Sequence, residues 1–502
     1  MTSIPSPFGS RSSTQQLRIL AEQAFSRAAG APLVAGNSAR VLKDADENFP
    51  AWLDAIAVAQ RTIFFEHYIV ADDEIGRQFV AALAERARAG VRVMALYDWF
   101  GGLGTSSARL WRPLLDAGGQ VRRFNPPRLE SPFGWLTRDH RKLIAVDGEV
   151  GFVGGLCVSH KWVGDPARGI EAWRDTGLEV RGPAVADFED AFSQVWSATG
   201  APLDAKVFTP AASMKPRGDV TLRVLATVPS IAGLYRLDQL IAAMATRTLW
   251  LTDAYFLGIA PYVQALRAAA LDGVDVRLLV PGASDLPYIS RMSRAGYRSL
   301  LEAGIRVFEW NGPMLHAKTA VADGRWARVG STNLNLASWV GNYELDVAIE
   351  DTAVAGAMAE LYLSDLEHST EIVLGPRSRV RAAPPGRRRQ RRRGTGSAVR
   401  AAAGALRLSH TVGAAITNRR VLGRTEAGTM AAVGAALLAL TAVVVLWPLV
   451  LAVPIALLAG WMGIALMIRA LGLYRRPRGD EVGSAKPRAG TPHAAPKEEK
   501  VP

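Results

Sequence analysis

Two halves of this chain spell out the same pattern. RTIFFEHYIV (61–70), a helical stretch over 75–89, Gly90 and VRVMALYD (91–98) are answered by TRTLWLTDAYFL (246–257), a helical stretch over 261–271, Gly273 and VDVRLLVP (274–281). Each half continues through a helical segment with a similar ending, LLDAGGQVRRF (114–124) and LLEAGIRVFEW (300–310), and then reaches a strand that carries a histidine. Short β-rich strands alternating with amphipathic helices predict an α/β fold, a mixed sheet flanked by helices in each half. Two copies predict a pseudo-twofold pair with a cleft where equivalent strand ends face each other.

The histidine strands carry the chemistry. DHRKLIAVDGEVGFVGG places His140, Lys142 and Asp147, and MLHAKTAVADGRWARVGSTNLN places His316, Lys318 and Asp323, an H-x-K-x4-D pattern in both. Period-two alternation puts each His and its Lys on one face of a strand, and the apolar residues after them (LIAV, TAVA) carry that strand into the core. Phosphoryl transfer suits this set. One neutral imidazole attacks phosphorus, a protonated one supplies the leaving group's proton, and two ammonium groups hold the phosphate oxygens. The set calls for no metal and no cofactor. Each ring needs a partner on its other nitrogen to fix its tautomer, and an acid follows each motif: Asp175 in AWRDTGLEV and Glu344 in GNYELDV. Asp147 and Asp323 complete the motifs and read best as residues that fix turns.

With these residues in view, the sequence resembles the phospholipase D superfamily, and more closely its bacterial cardiolipin synthase branch, over about residues 36–370. The two motifs, GSTNLN (330–335), SWVGNYEL (338–345) and WRDT (173–176) carry the resemblance. It implies two pseudo-symmetric phospholipase D-like repeats with the histidines as nucleophile and general acid/base and the lysines on phosphate. It also implies that Ser331 and Asn333 contact phosphate and that Glu344 hydrogen-bonds the ring of His316. The first half departs from the family at GGLC, where Cys157 stands in place of the usual asparagine; a thiol is a weak donor.

The last quarter of the chain is of another kind. Residues 427–468 contain no Asp, Glu, Lys, Arg or His, and 42 such residues fit two membrane crossings of about 20 residues each. This predicts a C-terminal transmembrane helical hairpin turning near Trp447-Pro448 or Pro454. Arginines on both flanks place both ends, and with them the catalytic repeats, on the cytoplasmic side. The N-terminus, MTSIPSPFGSRSSTQQ, has no signal-peptide apolar run. The net charge of +13 arises after residue 376, since residues 1–376 hold 37 basic against 41 acidic residues. The Arg-rich segment 381–397 is suited to an anionic membrane surface. The domain plan is therefore an extension (1–35), a first repeat (36–200), a linker (201–220), a second repeat (221–375), a basic linker (376–426), the hairpin (427–468) and a polar cytoplasmic tail (469–502).

The function expected is a membrane-attached phosphatidyltransferase that joins two phospholipids, two phosphatidylglycerols giving cardiolipin and glycerol through a phosphatidyl-histidine. A phospholipase D that passes the same intermediate to water is the alternative. A nuclease is a further one, disfavoured because nucleic-acid affinity leans on a basic surface and the catalytic region is net acidic; no nucleic-acid partner is expected. Glu66 and His67, in a predicted strand, are weaker candidates for the substrate cleft, and His160, Lys161, Trp173 and Trp339 for its surroundings.

Overall fold

The computed structural model describes residues 22–127, 136–210, 213–374 and 380–382, scattered positions between 435 and 446, and 448–474. The chain falls into two units, one holding both repeats and the other the C-terminal helix.

In the first repeat the strands are β1 (Val34–Lys43), β2 (Thr62–His67), β3 (Arg92–Asp98), β4 (Gln120–Phe124), β5 (Lys142–Val146), β6 (Val150–Gly154) and β7 (Thr176–Arg181), laid side by side as β1-β7-β6-β5-β2-β3-β4. In the second they are β8 (Val220–Thr227), β9 (Thr248–Thr252), β10 (Asp275–Pro281), β11 (Arg306–Trp310), β12 (Thr319–Ala322), β13 (Trp326–Gly330) and β14 (Glu344–Ile349), ordered β8-β14-β13-β12-β9-β10-β11. The two orders are the same. β2, β3 and β4 run parallel, as do β9, β10 and β11, and the other pairings within the repeats are antiparallel. β15 (Ser369–Leu374) and β16 (Val380–Ala382) extend the second edge. β1 pairs antiparallel with β8, so the halves share one continuous sheet about a local twofold between those strands.

Helices α1 (Asp44–Ala57), α2 (Glu74–Arg88), α3 (Ala108–Asp116) and α4 (Val185–Thr199) recur as α5 (Gly233–Met244), α6 (Ala260–Leu271), α7 (Pro287–Leu301) and α8 (Thr352–Glu367). Local chemistry sets their ends. Asp73 caps α2 by accepting from the Gly76 amide, Ser107 caps α3 and Asp351 caps α8. The repeat-marking Gly90 and Gly273 have φ of +90° and +94°, the left-handed closure of α2 and α6 that favours glycine. One hydrophobic layer serves each half separately. A third, with Phe64, Leu143, Phe188 and Phe192 against Val321, Val329 and Val347, spans both and welds them into one body.

The C-terminal unit contributes α9 (Pro448–Tyr474), 27 residues with Arg469 its single charge. The helix runs through Pro454, so the turn expected there is not formed. Among the described residues no helix is both long and apolar enough to cross a membrane; side chains at several positions of α9 fall outside that set. The expected first arm of the hairpin and the basic segment before it lie almost wholly outside the described residues.

Candidate active site

The two motif histidines sit where the halves exchange backbone. The His140 amide donates to the Tyr343 carbonyl (2.9 Å), and the Tyr343 amide to the Arg138 carbonyl (2.8 Å). Related by the local twofold, the His316 amide donates to the Arg174 carbonyl (2.7 Å), and the Arg174 amide to the Met314 carbonyl (2.9 Å). Each histidine segment thus lies beside the residue that precedes the acid of the opposite half.

The orienting acids are consequently crossed. His140 Nδ1 lies 2.9 and 3.1 Å from the Glu344 carboxylate oxygens, and His316 Nδ1 lies 2.9 Å from Asp175 Oδ2. The expectation that Glu344 holds His316 is corrected: it holds His140, and Asp175 holds His316. Both acids are buried and further secured. Ser331 Oγ donates to Glu344 (2.6 Å), while Trp162 Nε1 and the Thr176 amide donate to Asp175 (2.8 Å each). With Nδ1–H given to a carboxylate, each ring turns the Nε2 lone pair to the site.

Lys142 and Lys318 come from the same strand faces as the histidines, and each ammonium donates to the carbonyl of the histidine two residues earlier. Tyr68 stands edge-on to His140 at 5.0 Å and under Lys142. Tyr255 stands likewise to His316 at 5.8 Å and under Lys318, while Trp162 and Trp173 complete the wall around His316. Sequence reasoning missed both tyrosines, because neither belongs to a motif.

Burial governs the electrostatics. It holds the His316 imidazole neutral, its pKa down at about 3, with Lys318 adding and Asp175 opposing. His140 is lowered mainly by burial too, against the pull of Glu344. Lys318 is brought down to about 8 by burial. Burial pushes the Glu344 and Asp175 carboxyls up, but their histidines and neighbouring cations outweigh it and keep both low. The result is two neutral rings, two carboxylates and two ammonium groups around one point.

The other expected residues are distributed as follows. Ser331 is buried with its hydroxyl proton committed to Glu344, so it positions the acid instead of facing phosphate. Asn333 is buried beside it with Oδ1 unpartnered among the described residues. Cys157, at the matching position of the first half, is buried and kept as the thiol by burial. Asp147 and Asp323 are not in the site. They occupy the β5–β6 and β12–β13 turns with φ of +56° and +53°, followed by Gly148 and Gly324 at +70° and +64°. Asp147 accepts from the amides of Gln60, Arg61 and Thr62, and Asp323 from those of Thr246, Arg247 and Thr248. Seven residues of extended chain, about 20 Å, separate each from its histidine. Glu66 and His67 are fully buried: His67 packs against Trp52 and Phe65 beside its register partner Lys142, and Glu66 lies on the other face beside Leu143.

With that geometry in hand, the comparisons with known proteins are specific. The family described as "Cardiolipin synthase, PLD-like domain" matches residues 238–366. A cardiolipin synthase of Alkalihalophilus pseudofirmus is 35% identical over 349 residues, covering 68% of both chains. Cardiolipin synthase A of Pseudomonas fluorescens is 32% identical over 351 residues, covering 68% of this chain and 71% of that protein. Among solved structures, the phosphatidylserine synthase of Haemophilus influenzae shares the fold with a TM-score of 0.57 at 14% identity, over 70% of this chain and 91% of that one. The chain belongs to the bacterial cardiolipin synthase family of the phospholipase D superfamily.

Proposed function

We propose that this protein is a membrane-associated phosphatidyltransferase that joins two phosphatidylglycerol molecules into cardiolipin. The observation that carries the reading is the crossed His–carboxylate pairing. Each half supplies one imidazole and the acid that orients the other, so neither half makes a complete site, and two-step transfer needs two imidazoles acting in turn.

The chemistry follows from the atoms. A phosphodiester settles between Lys142 and Lys318, and Asn333 adds a neutral contact. Its negative charge offsets the lysines that depress both histidines, so proton affinity in the site rises when substrate binds. His140 Nε2, on the more accessible ring, attacks phosphorus while Glu344 stabilises the positive charge growing on the imidazole. The bond to the headgroup glycerol breaks, and a proton that His316 Nε2 takes up from solvent when the substrate's charge enters the site, its Nδ1–H still held by Asp175, passes to the departing alkoxide. A second phosphatidylglycerol then gives its hydroxyl proton to His316 Nε2 and attacks phosphorus, which frees His140 and releases cardiolipin. Holding the acceptor hydroxyl in line accounts for transfer in place of hydrolysis.

A bilayer location is supported by α9, whose exposed side chains include Leu449, Leu457, Ile464, Leu466 and Met467. Large apolar side chains in such a row need a covering, and the uncharged run 427–468 is long enough for lipid to provide it. A lipid-bound enzyme also searches for lipid substrates in two dimensions. The test is turnover of labelled phosphatidylglycerol by the purified full-length protein. His140→Ala and His316→Ala are each expected to abolish it; a variant retaining full turnover would defeat the reading.

A further inference from the structure

Behind the His140 strand lies a set of polar groups that the transfer reaction does not use. Glu66, on β2, is 0% exposed, and neither of its carboxylate oxygens has a donor among the described residues. Asp139 is also 0% exposed; its Oδ1 accepts weakly from the Arg141 amide (3.3 Å), and Oδ2 has no donor among the described residues. Alternation along residues 139–143 puts Asp139, Arg141 and Leu143 on the face opposite His140 and Lys142. Leu143 is the register partner of Glu66. The two carboxyls and the guanidinium therefore share one buried compartment.

Charge balance in that compartment decides the protonation state. Arg141 is fully buried, yet it donates only to neutral acceptors, the carbonyls of Glu344 (3.1 Å), Ala191 and Thr227 (3.0 Å) and the Gln194 side chain. The nearby Asp98 is matched by Arg138 at 3.1 Å. Lys142, whose ammonium is engaged by the His140 carbonyl on the other strand face, lowers the proton affinity of Glu66 only weakly, and within the compartment one cation, Arg141, stands against two carboxyls. Two acceptor-only carboxylates facing each other satisfy nothing, whereas one proton between them satisfies both and leaves a single negative charge. Burial, and for Glu66 the facing Asp139, raises the proton affinity of the pair in the same sense.

We propose that Glu66 and Asp139 share one proton, and that the resulting monoanion is the counter-charge of Arg141, which fixes the Glu344 carbonyl and through it the seat of His140. Glu66 and Asp139 are positioning residues, acting through Arg141. The second half has no such device, since Thr252, Leu315 and Ala317 stand at the equivalent places. The compartment is one of the features that set the two histidines apart, beside the Glu344 and Asp175 acids and the Trp162 and Trp173 wall around His316, and it acts on the seat of His140 alone.

The part concerning catalysis rests on the reading of His140 as a reacting group; the shared proton does not. Infrared difference spectra of the full-length protein at pH 7 test the proton directly. Glu66→Gln and Asp139→Asn are each expected to remove one protonated-carboxyl C=O band present in the unaltered protein. Spectra identical to it in that region overturn the proposal. For positioning, Glu66→Gln keeps a donor for Asp139 and keeps the monoanion, whereas Glu66→Leu strands a buried acceptor. The glutamine variant is expected to turn over phosphatidylglycerol about tenfold faster than the leucine variant. Equal rates in two folded variants overturn the positioning role; if the leucine variant does not fold, Glu66→Ala replaces it in the rate comparison, and the infrared bands decide the shared proton in either case.

Discussion

Replacing Glu344 with glutamine tests whether this acid serves the imidazole that attacks phosphorus. The substitution is isosteric and leaves an acceptor near His140 Nδ1, but it removes the negative charge 2.9 Å from the ring and the acceptor that Ser331 Oγ uses at 2.6 Å. A hydrogen bond to a charged group is worth about 1.5–3 kcal/mol. At about 1.4 kcal/mol per decade, the step in which His140 gains positive charge should slow roughly 10- to 150-fold. Asp175→Asn should instead impair proton transfer by His316. The assay that distinguishes them is rapid-quench release from a phosphatidyl ester of 4-nitrophenol, whose leaving group departs without an acid. Glu344→Gln should slow that release by the stated factor, while Asp175→Asn should slow it far less and show its defect with phosphatidylglycerol. The opposite pattern, Asp175→Asn crippling nitrophenol release and Glu344→Gln sparing it, would refute the assignment of His140, the ring held by Glu344, as the nucleophile.

Three further outcomes follow from the same geometry. Asp147→Ala and Asp323→Ala each leave three backbone amides without their acceptor, so chemical denaturation should show a loss of about 2 kcal/mol of stability apiece, with kcat of the folded enzyme retained. Lys318 is active when charged and titrates at about 8, so kcat/KM should fall as pH rises through that value; Lys318→Arg should abolish this alkaline limb, as its guanidinium stays charged. Cys157 is a buried thiol, so Cys157→Ala should keep turnover, and iodoacetamide should neither label nor inactivate the native enzyme.

Much of this arrangement is legible in the amino-acid sequence alone. The paired glycines at 90 and 273 mark helix ends because only that backbone shape closes α2 and α6, and the repeat they define gives the shared strand order. H-x-K on one strand face follows from alternation alone. The crossing of the acids is not legible, because Asp175 and Glu344 each follow their own motif in sequence; what reverses them is the pairing of residues 138–140 with Tyr343 and of 314–316 with Arg174, contacts more than a hundred residues apart. Ser331 was expected on phosphate because a motif reports which residues gather and not which way a hydroxyl proton points. Glu66 and His67 read as cleft residues because alternation shows a strand without showing that both of its faces are covered. Pro454 reads as a turn because an interior proline removes a hydrogen bond and crowds the carbonyl four residues back, yet α9 runs through it.

The central claim is that one site built from both halves passes a phosphatidyl group from lipid to lipid. It is tested most directly by product analysis with phosphatidylglycerol, labelled in the headgroup and in the acyl chains, as the sole substrate in vesicles holding the full-length enzyme. The account predicts one cardiolipin for every glycerol released, with phosphatidic acid a minor product. Glycerol released with phosphatidic acid and no cardiolipin would contradict it.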